Sequence, residues 1–242
     1  MILRYTETGF LVILPRDDPG LIIDAMLETG YNEEFIVSPV FSPDFIARLM
    51  SAGFLVMSSR ITEPDEANGG KTDDNIRNYI LLPKLHLVRS ALFFENLHIK
   101  KSIKKHLRNY ELRYDSDFDR VVDRCLEIHG DGWLTPPLVD AVRKIRRGRL
   151  CGVYPTSFAL YRDGKLAAGE FGVQAGRVYT SYSGYYDESN AGTVQLILAA
   201  RYLQENGFDF FDLGMPLDYK TYLGATDISP EEFTMLFRSA QN

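Results

Sequence analysis

The sequence predicts an α+β protein in which a mixed sheet with flanking helices follows a smaller N-terminal α/β unit. Residues 150–186 contain three apolar and aromatic segments separated by hairpin turns, one of them at Asp163-Gly164. An amphipathic helix at 189–205 and a short, apolar, central strand at 208–213 are expected next. With 45% hydrophobic residues, the 242-residue chain can bury a sizeable core.

The N-terminal domain is assigned to residues 1–80. Ser42-Pro43-Asp44 begins a helix, because serine caps the first turn, proline fits its start and an acid suits the positive end of the helix dipole. The other elements expected there are a strand at 9–14, a helix at 20–29 and a strand at 54–59.

Residues 61–78 are polar, acidic and glycine-containing, which predicts a mobile loop at the boundary with a second domain at 81–242. The second domain begins with a strand that we expect to be broken at Pro83. Its further elements are a basic helix around 95–110, a strand at 111–115, helices at 115–129 and 135–147, and a last helix opened by Ser229-Pro230.

Charge is distributed unevenly along this acidic chain, whose net charge is −6. The first basic cluster contains Lys100, Lys101, Lys104, Lys105 and Arg108, and the second contains Arg143, Lys144, Arg146, Arg147 and Arg149. Such clusters could hold one phosphate backbone locally while the rest of the surface repels nucleic acid. The alternative is that they are solvated helix faces.

Several functional classes are disfavoured by the residues present. No stretch approaches the ~18 apolar residues of a membrane span, and the first residues lack a signal-peptide pattern, so we expect a cytoplasmic protein without membrane contact. Cys125 and Cys151 are interpreted as buried apolar residues. The four histidines lack metal-ligand spacing, and we expect no metal and no cofactor.

A set of motifs in fixed order resembles the leucyl/phenylalanyl-tRNA–protein transferases. The matching pieces are SPDFIARLMSAGF (42–54), ENLHIKKSIKK (95–105), GWLT (132–135), FGVQAGRVY (171–179), NA (190–191), Asp212 and LGA (223–225). The order of strands, helix and strand also resembles the N-acetyltransferase-like fold, which is an acyl-N-acyltransferase (GNAT-like) mixed sheet.

The resemblance implies a fold, an activity and partners. It implies a GNAT-like C-terminal domain, transfer of an amino acid from charged tRNA to a protein N-terminus, and an amino-acid pocket. The partners would be the acceptor end of aminoacyl-tRNA and a protein or peptide N-terminus, bound by a monomer. The residues expected to bind tRNA are Lys100, Lys101, Lys104, Lys105, Arg143, Arg146 and Arg147.

The resemblance also assigns site residues. Asp212 is the aspartate of the family's D-C-Q motif, and Tyr182 occupies the position of the glutamate in G-E-S-M-F-S-R; with Glu170 they are the catalytic candidates. The substrate-binding candidates are Trp133, Ser183, Gly184, Asn190, Leu196, Ala199 and Gly214.

Several departures from the family pattern change the expected site; among them, Ala199 stands where the family has a pocket phenylalanine and Met57 where it has a tryptophan. Besides Tyr182, Gly184 and Glu170 stand where the family has methionines, and Gly214 stands where it has glutamine. We hypothesise that Glu170 supplies a carboxylate for either the α-amino group or a cationic side chain. Specificity would then move away from Leu and Phe, because a pocket that buries an unpaired charge rejects apolar partners.

Two other functions remain open. An acyl-CoA-dependent N-acyltransferase could share the fold, although residues 187–192 (DESNAG) are acidic and lack the pyrophosphate-binding pattern. A non-catalytic binder of charged tRNA or of a peptide N-terminus is compatible with the changed positions 182 and 214.

Overall fold

The computed structural model describes residues 3–61 and 76–241. The helices are α1 (Pro19–Thr29), α2 (Pro43–Ser51), α3 (Lys101–Leu107), α4 (Phe118–His129), α5 (Pro136–Gly148), α6 (Ala191–Glu205), α7 (Asp218–Tyr222) and α8 (Pro230–Ser239). The strands are β1 (Arg4–Tyr5), β2 (Leu11–Val12), β3 (Leu55–Arg60), β4 (Tyr79–Lys84), β5 (Arg89–Leu92), β6 (Glu111–Tyr114), β7 (Val153–Arg162), β8 (Lys165–Ala175), β9 (Val178–Tyr186), β10 (Phe210–Gly214) and β11 (Thr226–Ile228).

The chain forms two compact units. The first combines the chain up to Leu87 with Gly130–Cys151, and the second combines Val88–His129 with the chain from Gly152 onward. From the sequence, one boundary is expected at residue 80, and that division into domains stays a prediction. Most of the loop expected at 61–78 falls outside the described residues, and Ile76–Asn78 form a short 3₁₀ turn.

The described residues of the first unit form two small sheets and three α-helices. β1 pairs with β2, and β3 pairs with β4, both antiparallel. The helix starts follow local chemistry: Ser42 Oγ accepts from the Phe45 N–H at 3.3 Å, and Asp18 caps α1 in the same way. The expected helices at 20–29, 42 onward and 135–147 are confirmed, whereas the strand expected at 9–14 is only two residues long.

The expectation that the strand breaks at Pro83 is wrong. β4 runs through Pro83, which stands opposite Val56 of β3. The N–H groups of Leu81 and Leu85 point away from β3, toward the segment at 34–38, so the missing N–H of Pro83 lies on that side too. The β3–β4 ladder therefore loses no hydrogen bond, and the proline is tolerated.

The second unit is built on a seven-stranded sheet in the order β11-β5-β10-β9-β8-β7-β6. All neighbouring strands are antiparallel except β9 and β10, which are parallel and are connected through α6. At the β7–β8 hairpin, Asp163 and Gly164 both have positive φ, as the predicted turn requires. A mixed α+β architecture with one large mixed sheet is thus confirmed, and β10 is an interior strand as expected.

The two faces of this sheet pack against different helices. Phe211 and Leu213 of β10 join Ala199 and Leu203 of α6 in one hydrophobic cluster. On the opposite face, Phe210 packs edge-on against Phe233 of α8 at 6.4 Å between ring centroids. Because side chains alternate along a strand, each residue of β8–β10 belongs to one of these faces.

Candidate active site

A cavity of about 550 Å³ lies in the second unit, on the α6 face of the sheet. Its walls come from β8, β9, the end of β10, the first turns of α6 and α7. The polar residues that line it include Glu170, Ser181, Asn190, Thr193, Gln195 and Lys220. A cavity of this size with a few converging polar groups fits a small-molecule or acyl-group ligand.

Glu170 forms part of the buried wall of the cavity and is only 2% exposed. Its Oε2 accepts from Gln195 Nε2 at 3.3 Å, whereas Oε1 has no hydrogen-bond partner among the described residues. Burial raises the pKa of Glu170 to about 7, although the Gln195 amide, the Ser181 hydroxyl and the Lys220 ammonium act in the opposite direction. The carboxyl group can therefore exchange a proton near neutral pH.

Lys220 is the cation of the cavity wall and is almost fully buried. Its Nζ donates to the carbonyl of Leu213 at 2.6 Å and to that of Met215 at 2.7 Å. Burial lowers the pKa of the ammonium, while the nearby Asp212 and Glu170 carboxylates raise it. Two of its three N–H groups are used by the backbone, so the third remains available to a ligand.

The N-terminus of α6 opens onto the same cavity through Asn190, Gly192 and Thr193. Asn190 adopts the left-handed conformation and makes no capping hydrogen bond with its side chain. First-turn N–H groups of a helix lack acceptors within the helix, and they carry the positive end of its dipole. An oxygen that gains negative charge would be stabilised at this position.

Asp212 is placed on the opposite face of β10 from the cavity. Its carboxylate is wholly buried and forms a two-point ion pair with Arg89, at 2.9 Å from Nε and 2.6 Å from Nη2. The Gly214 N–H also donates to Asp212 Oδ1, and the Arg89 guanidinium stacks on Phe233 of α8. Burial raises the pKa of Asp212, but the charge and hydrogen bonds of Arg89 outweigh it and lower the pKa.

Tyr182 is the extra residue of a β-bulge. Phe171 pairs with Ser183 and Gly172 pairs with Ser181, so Tyr182 is the residue inserted between these two pairs of the β8–β9 ladder. Its ring lies 6.0 Å from Phe171, on the face away from the cavity. The bulge brings Ser181 and Gly184 to the cavity side together, which simple alternation would prevent.

The remaining substrate-binding candidates divide into three groups. Gly184, Asn190 and Leu196 line the cavity. Ala199 is buried in the core beneath α6, and Gly214 ends β10 with a positive φ. Ser183 pairs with Phe171 on the far face, and its carbonyl accepts from the Cys125 thiol.

Trp133 and three of the seven basic candidates belong to the first unit. The Trp133 carbonyl accepts from the Ser58 N–H at 2.9 Å, which ties the GWLT segment to β3. Arg143, Arg146 and Arg147 lie on α5, with Arg147 the most open of the three. In the second unit the candidate lysines are exposed at the start of and along α3, namely Lys100, Lys101, Lys104 and Lys105.

The polar residues of this region that the sequence did not indicate include Arg89, Gln195 and Lys220, together with Ser181 and Thr193 of the cavity wall. Lys220 and Gln195 line the cavity, and Arg89 holds Asp212. Lys220 stands three residues before the LGA motif, which is the only sequence signal that could have drawn attention to it. Arg89 and Gln195 are single polar residues in apolar segments. This pattern is consistent with a buried side chain, but it does not indicate what that side chain does.

Within residues 3–61 and 76–241, no helix has both the length and the apolar character needed to cross a bilayer. The same residues contain no group of three or more His, Cys, Asp or Glu side chains arranged to hold a metal ion.

The second unit thus belongs to the class of mixed α+β domains that carry a polar ligand cavity beside a parallel strand pair. The model of the family described as leucyl/phenylalanyl-tRNA protein transferase matches residues 91–238, which is more than half of the chain. The chain therefore belongs to that family, and the resemblance seen in the sequence is confirmed.

Curated relatives agree with the family match. The chain is 33% identical over 151 residues to a leucyl/phenylalanyl-tRNA–protein transferase from Pseudomonas entomophila, covering 60% of this chain and 65% of that protein. It is 33% identical over 150 residues to the Chromobacterium violaceum protein of the same name, covering 60% and 63%. The match thus spans a little under two thirds of the length of these relatives. Among solved structures, L-PGS from Bacillus licheniformis aligns with a TM-score of 0.41 and 13% identity, covering 99% of this chain and 89% of that one.

Proposed function

We propose that this protein transfers an amino acid from aminoacyl-tRNA to the N-terminal amine of a protein or peptide. The observation that carries the proposal is that the family match at 91–238 contains every residue that lines the cavity. The relatives that bear the name of this activity match 151 and 150 residues of the chain. The cavity is then the site that receives the aminoacyl group.

The fold proposal is that the second unit is an acyl-N-acyltransferase (GNAT-like) domain and the first unit a separate small domain. It is supported by the one parallel pair, β9–β10, within an otherwise antiparallel sheet, and by α6, which connects the two strands. We further propose a monomer that works in the cytoplasm, where charged tRNA is abundant, and that needs neither a metal nor another cofactor.

The reaction is the attack of an amine on an ester. The acceptor nitrogen forms a bond to the ester carbonyl carbon, the bond from that carbon to the ribose oxygen breaks, and the amine proton passes to the departing ribose oxygen. Because this aminolysis runs downhill, positioning supplies much of the acceleration. Negative charge on the tetrahedral oxygen would be stabilised by the third N–H of Lys220 and by the first-turn N–H groups of α6.

The predicted catalytic residues take different proposed roles. Asp212 would act as a positioning residue, since it holds Arg89 and the Gly214 N–H and so shapes the end of β10, whose Leu213 carbonyl binds Lys220. Tyr182 would support β9 from the far side through Phe171. Glu170 is the ionisable group within the cavity, and its role is developed below. The α3 lysines and the α5 arginines are proposed to hold phosphates of the tRNA.

The test is a transfer assay with a mixed pool of labelled aminoacyl-tRNAs and a peptide that begins with Arg or Lys. We expect label on the peptide N-terminus, and we expect Lys220→Met to lower the transfer rate by about 10²-fold. Lys165→Met, a change of an exposed lysine in the β7–β8 hairpin, is the control and should leave the rate unchanged. Salt-dependent binding of charged tRNA with no transfer would select a non-catalytic binder. Transfer from acyl-CoA in its place would select the CoA-dependent reaction.

A further inference from the structure

Glu170 is a buried carboxylate whose Oε1 has no hydrogen-bond partner within the described residues, although the nearby Ser181 and Tyr179 hydroxyls lower its pKa. The titratable groups that act on it are Lys220, Tyr179, Tyr219 and Cys125, and only Lys220 carries positive charge. Lys220 donates to two backbone carbonyls, and among the described residues it acts on Glu170 through its charge without forming an ion pair with it. A buried carboxylate in this position needs either a proton or a cation from outside the protein.

Space for such a cation is present beside the carboxylate. Gly184 stands directly opposite Glu170 in the β8–β9 ladder, and both residues line the cavity. A Cβ atom added to Gly184 would lie 3.5 and 3.6 Å from Cβ and Cγ of Glu170, so any larger side chain would cover the acid. The glycine therefore leaves the flank of Glu170 open to a ligand.

One side of the cavity is exposed to solvent, and the other is buried. Tyr186 and Tyr219 line it and are 66% and 50% exposed, whereas Glu170 is 2% exposed. An aminoacyl ester remains attached to a tRNA that cannot enter a cavity of about 550 Å³, so the ester lies near the exposed rim. The part of the amino acid that reaches the buried carboxylate is then the end of its side chain, and the α-amino group stays nearer to the ester.

We propose that Glu170 is a specificity-determining residue that selects amino acids with a cationic side chain, of the lysine and arginine class. This inference rests on the proposed function and specifies which aminoacyl-tRNAs supply the amino acid. The ammonium or guanidinium donates to Oε1 of Glu170, while Gln195 holds Oε2. An apolar side chain would bury the carboxylate without a partner, and the site would reject it for that reason.

Binding of stable analogues tests the selection without relying on transfer. The probes are 3′-amide-linked aminoacyl adenosines that carry lysyl, norleucyl or leucyl groups, measured by calorimetry at pH 8. Norleucine matches the lysine stem but lacks the ammonium. We expect the lysyl probe to bind wild-type protein about 10- to 100-fold more tightly than the norleucyl probe, the range for an interaction between charged groups in a partly desolvated site.

Two variants make the test specific. Glu170→Gln keeps the size of the side chain and removes its charge, and it should reduce the lysyl preference to about 3-fold or less. Glu205→Gln changes an exposed carboxylate near the end of α6 and should keep the full preference. Equal binding of lysyl and norleucyl probes by wild-type protein would overturn the proposal. An equal loss of both probes in Glu170→Gln would also overturn it and would place the α-amino group on Glu170.

A parallel transfer assay with lysyl-, arginyl-, leucyl- and phenylalanyl-tRNA separates the two proposals. Efficient transfer of Leu or Phe that Glu170→Gln leaves unimpaired would sink the cationic specificity and uphold the transferase. A lysyl preference in binding with no transfer from any tRNA would uphold the specificity and defeat the transferase. Transfer that favours Lys and Arg, and that loses this preference in Glu170→Gln, supports both.

Discussion

Glu170 on β8 and Asp212 on β10 are buried carboxylates in the same sheet, but their surroundings differ. Asp212 has a guanidinium and a backbone N–H within hydrogen-bond distance, and the pKa of its carboxyl group is lowered. Glu170 receives one amide N–H, has no cation paired with it among the described residues, and burial raises its pKa to about 7. The partners of the Asp212 carboxylate all come from the protein. The Glu170 carboxylate, by our proposal, gains its missing partner from a ligand.

This difference provides a criterion that distinguishes a buried acid with a structural role from one with a functional role. A satisfied buried ion pair contributes to the fold and has no capacity left for a substrate. A buried acid with an empty lone pair, a raised pKa and a cavity beside it is a candidate site for physical reasons. By this criterion we propose that Glu170 carries the function and that Asp212, the better match to the family motif, holds the scaffold.

The largest effect is expected when the pair at Asp212 is broken. Arg89→Met leaves a buried carboxylate without its cation, which should lower the free energy of unfolding by about 3–5 kcal/mol in urea denaturation at pH 7. Adding Asp212→Asn to this variant should restore part of the loss.

The matched control for this prediction is Arg177→Met. Arg177 pairs with Asp209 at 3.0 Å in the same unit, but both side chains are more than 40% exposed. Surface pairs are screened by solvent, so a much smaller loss of stability than for Arg89→Met is expected. Comparable losses for the two variants would contradict the assignment of Asp212 to the scaffold.

A smaller effect with a distinct pH dependence is expected for Glu170→Gln. The pKa of Glu170 rises from 4.5 to about 7 on folding, so the native state holds the proton more tightly than the unfolded state. The resulting stability is fully present below about pH 4.5 and is lost as pH rises through 7, by about 3 kcal/mol in total. Relative to wild type, the glutamine variant should therefore gain stability by about that amount between pH 4.5 and 8.

The measurement is urea denaturation at several pH values with wild type, Glu170→Gln and Glu205→Gln. The exposed Glu205 is the control and should leave the pH profile of wild type unchanged. Parallel profiles for wild type and Glu170→Gln would show that the buried acid does not titrate in this range.

The smallest effect is expected at Gln195, whose amide donates to Glu170 Oε2. Gln195→Leu removes a hydrogen bond that favours the ionised form, so the pKa of Glu170 should rise further. At pH 8 the variant should lose about 1 kcal/mol more stability than at pH 5. Urea denaturation of wild type and of the variant at pH 5 and pH 8 measures this difference in stability. An equal loss of stability at both pH values would mean that Gln195 contributes packing alone.

Local sequence predicted much of the fold. Ser42 and Ser229 cap helices through their own side chains, and Asp163-Gly164 forms the hairpin turn that its residues favour. These features depend on neighbours three or four positions away. Gly184, Asn190, Leu196 and Glu170 were also found as residues that line the cavity. The predicted strand break at Pro83 was wrong, because the side on which the proline lacks an N–H depends on which segments lie on either side of the strand.

By itself, the sequence determined the family, the order of strands and helices, and the presence of an acid in an apolar strand. The tertiary structure decided which acid faces the cavity. Arg89 reaches Asp212 across 123 positions of the chain, and the bulge at Tyr182 sets which residues of β9 share a face. Both depend on strand register and on partners that are distant in sequence, and local residue patterns do not encode those contacts.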